Sequence, residues 1–325
     1  METPDSDTKL QNQLIINSSP KKQKWCGHEF LYEFNGFWFT KTYLETTQEM
    51  VETFKPLPTD IILASFPKTG TTWLKALLYS ITHRSPQDDA VLSLNHPQEL
   101  IPSLETNLYP RKRAQASVDE FLHEKEGRIL STHAPHQILR DLLNSCDCKI
   151  VYITRNPKDT LVSLWHFLQK LEGVGDDPWE LEAAVDQFCD GVVPFGPYYD
   201  HVLAYREESL ARPHKVLFVT YEELKENPRV HVRRLGEFLG CPFGGGDGDE
   251  EVEKIVKMCS FEVLSKQEVN KSSELSGSGF PLPYNAFFRR GEVGDHLRYL
   301  GDEMIRKIDH LTTLKFYGCG FHYGI

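Results

Sequence analysis

Residues 61–78 constrain the fold of this chain more than any other stretch, because they predict a buried strand, a tight loop and the first turns of a helix. The apolar run at 61–64 suits a strand that is covered on both faces. Gly70 gives the backbone the freedom to fold back, and Thr71 and Thr72 stand where the helix begins. The first N–H groups of a helix have no internal partner, and the positive end of its dipole lies beside them. The stretch therefore predicts an anion-binding loop in an α/β protein.

Lys68 adds a positive charge beside this loop. Because Lys68 precedes Gly70 and no Gly-Lys-Thr follows, the loop differs from the nucleotide-triphosphate motif G-x-x-x-x-G-K-[ST]. Strand–loop–helix turns with these residue types also occur in α/β proteins that bind nothing there. The loop alone therefore leaves an ordinary structural turn open as an alternative.

Composition limits the partners of the chain. Its 325 residues carry a formal net charge of −11, which disfavours nonspecific binding to nucleic acid or a membrane surface. No apolar run approaches the ~20 residues that a membrane helix needs, and the polar, acidic start does not resemble a secretory signal. An anionic ligand must therefore bind in a locally cationic pocket.

The seven cysteines are scattered and odd in number, and none forms a C-x-x-C pair. Cys146 and Cys148, which are separated by a single residue, are not a metal signature by themselves. We expect reduced thiols, a cytoplasmic protein and no metal.

Further strands are predicted at 148–154 and 216–221, each followed by helical sequence at 160–168 and 229–239. This alternation predicts a single α/β domain with a central, mainly parallel sheet flanked by helices and a P-loop-like strand–loop–helix.

Residues 1–24 are polar and are predicted to be a mobile N-terminal segment, and residues 25–325 the domain.

Arg155 lies at the carboxyl end of the strand predicted at 148–154, where open α/β sheets bind ligands. A nucleoside triphosphatase usually holds Mg²⁺ with an aspartate at such a strand end. Since the cation here belongs to the protein, we again expect no metal. Ser163 follows about two helical turns later, and on its own it is more readily an ordinary helix residue than a ligand.

Two loops are predicted, at 243–250 and at 271–284, and the longer one has the character of a lid. Arg289, Arg290 and Gly291 follow it. A double arginine is often merely solvated, but beside a glycine it can clamp a phosphate.

Three segments together resemble motifs of the cytosolic sulfotransferases, plant members in particular. The sequence Pro-Lys-Thr-Gly-Thr-Thr-Trp at 67–73 resembles the phosphosulfate-binding loop of that family. The segment 155–163 resembles its 3′-phosphate motif, and 289–295 resembles its C-terminal cofactor motif. The similarity runs in order from about residue 36 to residue 299.

Family membership implies the donor 3′-phosphoadenosine 5′-phosphosulfate. By resemblance, the 5′ end would be wrapped by Lys68, Thr69, Gly70, Thr71, Thr72 and Trp73. The 3′-phosphate would be held by Arg155, Ser163, Arg289, Arg290 and Gly291. Trp73 and Phe261 would sandwich the adenine, and Tyr221 would contact the base.

The same resemblance implies that His133 and Lys68 are catalytic, since the family motif Thr-His-x-Pro falls on residues 132–135. An acceptor hydroxyl must lose its proton during transfer, and a histidine suits that task, typically contributing about 10²–10⁴ in rate. His136, three residues later, is expected to be a noncatalytic neighbour.

Three departures from the family pattern stand close to these motifs. Ser131 occupies a position where many animal relatives carry lysine, so that Lys68 must supply more of the charge stabilisation. His296 and Leu297 replace a tryptophan and a lysine beyond the phosphate clamp. Arg206 replaces a tryptophan that is frequent in the plant members.

The sequence thus predicts a sulfotransferase that acts on a hydroxyl of a small organic acceptor. A flavonoid is favoured by overall resemblance to plant members, with a hydroxy-jasmonate, a desulfo-glucosinolate or a steroid as alternatives. Aromatic residues around 34–39 and 195–199 either line an apolar pocket or are simply core.

Two other classes are remote alternatives, namely a P-loop nucleotide kinase and a catalytically inactive nucleotide-binding protein. Mg²⁺ dependence would distinguish the first, and absence of turnover the second. The stretch 297–303 lacks the short segment through which many animal relatives pair, so we expect a monomer.

Overall fold

The computed structural model describes residues 21–25, 29–85, 88, 90–109, 127–171, 179–272, 274–275 and 282–323. The strands are β1 (Lys22–Trp25), β2 (Glu29–Phe34), β3 (Phe37–Thr40), β4 (Ile61–Ser65), β5 (Ile129–Thr132), β6 (Lys149–Thr154), β7 (Val216–Thr220), β8 (Glu274–Leu275) and β9 (Leu282–Pro283). The α-helices span Lys41–Thr53, Thr71–Thr82, Val91–Leu94, Pro97–Leu100, His136–Asn144, Pro157–Leu171, Leu181–Cys189, Tyr198–Ala211, Tyr221–Glu226, Pro228–Leu239, Asp247–Met258, Phe261–Leu264, Val269–Ser272 and Asp302–Lys315. A π-helix spans Leu104–Leu108, and 3₁₀ helices span Tyr284–Phe287 and Asp295–Arg298.

The central sheet has four strands in the order β5-β4-β6-β7, and every neighbouring pair is parallel. Its strands are buried on both faces. Alternate residues of β4, such as Ile62 and Ala64, belong to one hydrophobic core, whereas Ile61 and Leu63 belong to the other. This arrangement explains the continuous apolar runs in the sequence and confirms the predicted α/β fold with its parallel sheet.

A second, antiparallel sheet is built from β1, β2 and β3 near the N-terminus. Its last strand is joined to the turn before the helix Tyr198–Ala211, because Phe195 N donates to Trp38 O at 2.7 Å and Trp38 N donates to Gly196 O at 2.9 Å. Of the segment predicted to be mobile, residues 1–20 lie outside the described residues, and residues 22–24 belong to β1.

Strands predicted at 61–64, 148–154 and 216–221 are confirmed to within one residue at each end. The predicted loop at 243–250 is wrong over its last four residues, because the helix Asp247–Met258 begins inside it. Gly246, with a φ of +71°, makes the turn into this helix, and the Gly-rich composition masked the helix start.

The long loop predicted at 271–284 is in part ordered structure. Its first residues belong to the helix Val269–Ser272, and β8 pairs with β9 to form a short antiparallel ladder. Residues 273 and 276–281 lie outside the described residues, so the predicted lid is not tested by the fold.

Among the described helices, none combines the length and the apolar character needed to cross a membrane. The six cysteines that the structure describes are all unpaired, as expected, and Cys26 lies outside the described residues.

Candidate active site

The predicted functional residues converge because four of them follow four neighbouring parallel strands. Lys68 follows β4, His133 follows β5, Arg155 follows β6 and Tyr221 follows β7. Parallel strands present their carboxyl ends at one edge of the sheet, which is where open α/β sheets bind ligands.

A cavity of about 1230 Å³ opens at this edge. The residues predicted for the site that line it are Lys68, Gly70, Thr71, Thr72, Trp73, His133, Arg155, Ser163, Tyr221, Phe261, Arg289, Arg290 and Gly291. Thr69 is the exception, since its buried hydroxyl donates to Phe66 O at 2.8 Å and lies 3.0 Å from Ile153 O. The Thr69 side chain therefore ties the loop to β6 and does not face the cavity.

The loop between β4 and its helix has an unusual backbone. Lys68 has a φ of +70°, a left-handed conformation that is uncommon for a residue with a side chain. Gly70 has a φ of +113°, and a Cβ there would lie 2.8 Å from the Tyr221 ring. Only glycine fits this position without a shift of Tyr221, so the loop and Tyr221 are packed together.

The Lys68 ammonium lies among other cations. Its Nζ is 3.7 Å from the centre of the Phe167 ring, which offers a favourable π face. Burial, followed by the positive charges of Arg289, Lys170 and Arg155, lowers the pKa of Lys68 to about 7. Because the free protein stabilises the Lys68 ammonium poorly, a bound anion beside it would stabilise the charged form strongly.

Arg155 and Arg289 keep unused hydrogen-bond donors. Arg155 Nη2 donates to Glu292 O at 2.5 Å and lies 3.2 Å from an Asp159 carboxylate oxygen. Within the described part of the chain, Arg155 Nε and both Nε and Nη1 of Arg289 are buried without an acceptor. Buried polar groups are normally satisfied, so these donors indicate that an anion belongs beside them.

Two buried aspartates hold the arginines in place. Asp295 forms ion pairs with Arg289, Arg290 and Arg298. Asp159 accepts from Gly294 N at 2.8 Å. Burial by itself would raise the pKa of the Asp159 carboxyl, but its hydrogen bonds and the charge of Arg155 outweigh that effect and lower the pKa.

His296, one of the departures from the family pattern, is part of that support. Its ring Nδ1 donates to Asp159 at 2.8 Å and its backbone N donates at 2.9 Å. Together with Arg155, these bonds hold the pKa of the Asp159 carboxyl well below its usual range. The substitution therefore retains a link between the arginine-bearing segments, whereas Leu297 is 70% exposed.

Aromatic rings close the cavity around the predicted adenine position. Trp73 and Tyr221 meet edge to face with ring centres 5.3 Å apart. A Cβ at Gly291, whose φ is +67°, would lie 2.5 Å from the Phe261 ring. Gly291 therefore lets this ring lie directly against the backbone that follows the two arginines.

His133 is oriented by a backbone acceptor. Its Nδ1 lies 2.8 Å from Ser65 O, and since a carbonyl can only accept, Nδ1 carries the proton. Nε2 is then the nitrogen with a free lone pair. Burial lowers the pKa of His133, against opposing effects of Glu105 and the Ser65 carbonyl. The neutral ring is thus a proton acceptor at physiological pH.

Glu105, in the π-helix, is a functional residue that sequence reasoning missed. It is buried, and one carboxylate oxygen accepts from the backbone N–H of His133 at 3.0 Å and of Ala134 at 3.1 Å. The Thr132 hydroxyl also donates to it. No motif surrounds Glu105, so the sequence carried no signal for this contact.

His136, the expected noncatalytic neighbour, starts the helix His136–Asn144 and is buried against Tyr205. Its Nε2 lies 3.4 Å from Glu208, and it is not among the residues that line the cavity.

One end of the cavity is aromatic. Its rings come from the N-terminal sheet, the following helix and the turn after Val193, namely Trp25, Phe30, Tyr32, Tyr43 and Phe195. For residues 34–39 the core alternative is the correct one, because Phe37 and Phe39 are core residues. The residues that line the pocket lie a few positions away.

Phe195 joins this aromatic end to His133, with ring centres 5.6 Å apart. It is buried, and its φ of +63° is a strained conformation for a bulky residue. Such strain persists only where the surroundings enforce it and is common at functional sites. The bonds between β3 and residues 195–196 supply that constraint.

The other two departures have structural roles. The Ser131 hydroxyl donates to Pro102 O at 3.3 Å, and Arg206 lies over Phe218, with its guanidinium carbon 5.4 Å from the ring centre. In the described residues, no group of three or more histidines, cysteines and acids is arranged to hold a metal ion. The site instead combines a neutral base, fixed cations and an apolar end.

The comparisons with known proteins agree on one family. A family model described as a sulfotransferase domain matches residues 58–320. The curated Arabidopsis thaliana protein named cytosolic sulfotransferase 5 is 40% identical over 322 residues, which cover 98% of both chains. The cytoplasmic prediction agrees with that name.

Solved structures lead to the same family. A crystal structure of an Arabidopsis thaliana protein, provisionally described as a steroid sulphotransferase, has a TM-score of 0.74 and 33% identity, covering 100% of this chain and 99% of that one. A mouse sulfotransferase complexed with PAP has a TM-score of 0.69 and 26% identity, covering 89% of this chain and 95% of that one. The nucleotide kinase alternative has no support among these matches.

Proposed function

This chain belongs to the sulfotransferase family and is a sulfotransferase that depends on 3′-phosphoadenosine 5′-phosphosulfate; we propose that it transfers the sulfuryl group to a hydroxyl of a small, largely apolar acceptor. The observation that carries the proposal is the position of His133. His133, whose Nε2 keeps a free lone pair, lines a cavity that is also lined by cationic and aromatic side chains.

In the proposed reaction, the acceptor oxygen forms a bond to sulfur while the bond from sulfur to the phosphate oxygen breaks. His133 Nε2 takes the hydroxyl proton, and Ser65 O steadies the charged ring that results. Negative charge grows on the leaving phosphate, where Lys68 and the N–H groups of the loop stabilise it. The products are an organic sulfate and adenosine 3′,5′-bisphosphate.

We place the 5′-phosphosulfate at the loop 68–73 and the 3′-phosphate at Arg155, Ser163 and the segment 289–291. The support for the second position is the set of unpartnered guanidinium donors on Arg155 and Arg289. Trp73, Tyr221 and Phe261 offer ring faces for the adenine. The mouse relative bound to PAP agrees with a nucleotide of this kind.

For the acceptor we propose a flavonoid. The aromatic end of the cavity suits a flat, apolar phenol, because ring faces stack on one another favourably. A hydroxy-jasmonate, a desulfo-glucosinolate or a steroid is the alternative, and the similar Arabidopsis structure is itself described in terms of steroids.

An acceptor screen tests this choice. Purified protein is supplied with sulfur-labelled donor and a matched panel of flavonols, steroids, hydroxy-jasmonates and desulfo-glucosinolates. We expect flavonols to give the largest kcat/KM. A value at least tenfold below that of another class would transfer the proposal to that class, and no turnover with any hydroxyl acceptor would remove it.

We also propose that the protein is a monomer and needs no metal. The support for the first is the sequence at 297–303, where the pairing segment of many animal relatives is missing. Light scattering at micromolar concentration tests the first, and turnover in EDTA tests the second.

A further inference from the structure

Lys75, a buried cation, lies in the cavity beyond the residues discussed above. It is 1% exposed, belongs to the helix Thr71–Thr82, and lines the cavity together with Thr72, Gln98 and Glu105. Thr72 and Lys75 are three residues apart, so they share a face of that helix. Ion pairs are absent for Lys75 among the described residues, and Nζ donates instead to Gln98 Oε1.

With Lys75 as an ammonium, the donors and acceptors in this group allow one arrangement. An ammonium has only N–H donors, so it fixes the oxygen of the Gln98 amide on the Lys75 side. The amide nitrogen then faces Thr72, and Gln98 Nε2 donates to Thr72 Oγ1 at 3.0 Å. Thr72 accepts in this bond, so its own O–H must point elsewhere.

In the part of the chain that the structure describes, the Thr72 hydroxyl donates no hydrogen bond, and Thr72 lines the cavity. We infer that Lys75 and Gln98 are positioning residues that make Thr72 an obligate donor towards the phosphosulfate of the bound donor. The inference rests on the proposed placement of the phosphosulfate at residues 68–73, and it is independent of which acceptor is used.

The backbone around Gln98 supports the arrangement. The His96 ring accepts from Gln98 N at 3.1 Å, and it stacks on the Tyr284 ring with centres 4.0 Å apart. Burial lowers the pKa of Lys75 to about 7, while Glu105 opposes that effect. A neutral amine keeps two N–H groups, so Lys75 can still donate to Gln98 above that pH, but it also has a lone pair, and only the ammonium form enforces the amide orientation.

A double-mutant cycle on donor binding tests the inference. Calorimetry without acceptor compares the wild type with Thr72→Val, Lys75→Met and the double variant. We expect Thr72→Val to weaken donor binding roughly 10–100-fold, as for a lost bond to a charged group. Lys75→Met should lose at least about fivefold, as for a neutral bond. The double variant should fall within about twofold of Thr72→Val alone, because both changes remove the same bond.

Lys215→Met is the matched control, since Lys215 is also buried but donates to the Leu143 and Cys146 carbonyls outside the cavity. We expect this variant to bind the donor like the wild type. If the losses of Thr72→Val and Lys75→Met multiply in the double variant, Lys75 acts independently of Thr72 and the inference is wrong. If Thr72→Val itself binds normally, the proposed phosphosulfate placement is wrong.

Gln98→Glu tests whether the hydrogen-bond donor of the Gln98 amide matters, since it changes that donor while it keeps the size and shape of the side chain. A glutamate has the same shape and can bond to Lys75, but its second oxygen accepts from Thr72 and draws the hydroxyl proton away from the cavity. We expect donor binding to fall at least about tenfold, and this loss to shrink markedly in the Thr72→Val background. Normal binding by Gln98→Glu would contradict the inference, and so would an equal loss in both backgrounds, which indicates direct charge repulsion.

Discussion

The two ends of the cavity are built on different principles. At the donor end, Arg155 and Arg289 are fixed by buried aspartates and still retain unpartnered N–H groups. At the acceptor end, Tyr32, Tyr43 and Phe195 line the cavity with aromatic rings. The first arrangement matches ligand groups of constant charge and spacing, and the second matches ligands that share only an apolar outline.

His133 stands at the boundary between these ends. Its backbone N–H donates to Glu105, its ring Nδ1 donates to Ser65 O, and its ring packs against Phe195. Fixed charges and positioning bonds thus lie in the half of the cavity that binds the donor, which is the same molecule in every turnover. Substitutions at the boundary should therefore lower kcat. Substitutions at the donor end should weaken donor binding, and substitutions at the acceptor end should change only the choice of acceptor.

The largest effect is expected at the boundary. His133→Ala should lower kcat by about 10²–10⁴, because the acceptor hydroxyl loses its base. Binding of adenosine 3′,5′-bisphosphate should stay nearly unchanged, since His133 Nε2 acts on the acceptor. Steady-state kinetics and calorimetry measure the two quantities.

His136→Ala is the matched control, because His136 is a buried histidine three residues away that does not line the cavity. We expect near-normal kcat in this variant and, at most, reduced thermal stability. Exchanged phenotypes would assign the base to His136.

The next effect concerns the donor end. Arg155→Ala should weaken binding of adenosine 3′,5′-bisphosphate by roughly 10–100-fold, equivalent to about 1.5–3 kcal/mol for a charge-assisted bond. Ser163→Ala should lose less, since an uncharged hydroxyl gives the phosphate one hydrogen bond and no opposite charge. A nucleotide without the 3′-phosphate should bind the wild type poorly and be insensitive to both changes. Equal losses with both nucleotides would reject the 3′-phosphate position.

A pH effect of intermediate size should follow from Lys68. Its pKa is lowered to about 7, so the cation is present below that pH and is lost as pH rises through it. In the donor-free enzyme, kcat/KM for the donor should fall about tenfold per pH unit above about 7. The bound anion stabilises the ammonium and raises its pKa, so kcat should stay constant to higher pH.

Lys68→Arg should remove this fall in kcat/KM at alkaline pH (the alkaline limb of the profile), because a guanidinium stays protonated throughout the range. Lys75→Met should leave the limb in place, although the pKa of Lys75 is also lowered to about 7. A limb that survives in Lys68→Arg and disappears in Lys75→Met would assign it to the second lysine.

The donor end was largely predictable from the sequence, and the physical reason is locality. Loop 67–73 and Arg155 each follow directly from a buried strand, and the parallel sheet then brings their strand ends together. Only Thr69 departs from the expectation, because its position in the loop was visible but the direction of its side chain was not.

The supporting and acceptor residues were not predictable in this way. Glu105 reaches His133 across 28 positions from a segment without a motif, and Gln98 reaches Lys75 across 23. Tyr32 and Phe195 meet at the cavity through pairing of distant strands and turns. An apolar residue that lines a cavity looks, in sequence, like one that fills a core.

The smallest effect is expected at the acceptor end. Tyr43→Ala should raise KM for a flavonol by roughly 3–10-fold, because a half-buried ring contributes part of the free energy of burying a full side chain. Affinity for adenosine 3′,5′-bisphosphate and kcat at saturating acceptor should remain within about twofold. Tyr79→Ala is the matched control, because Tyr79 is a half-buried tyrosine stacked on His83 outside this cavity. A rise in the donor dissociation constant with Tyr43→Ala, or an equal acceptor effect with Tyr79→Ala, would break the division between the two ends, since each would show that ring contacts act on the whole cavity.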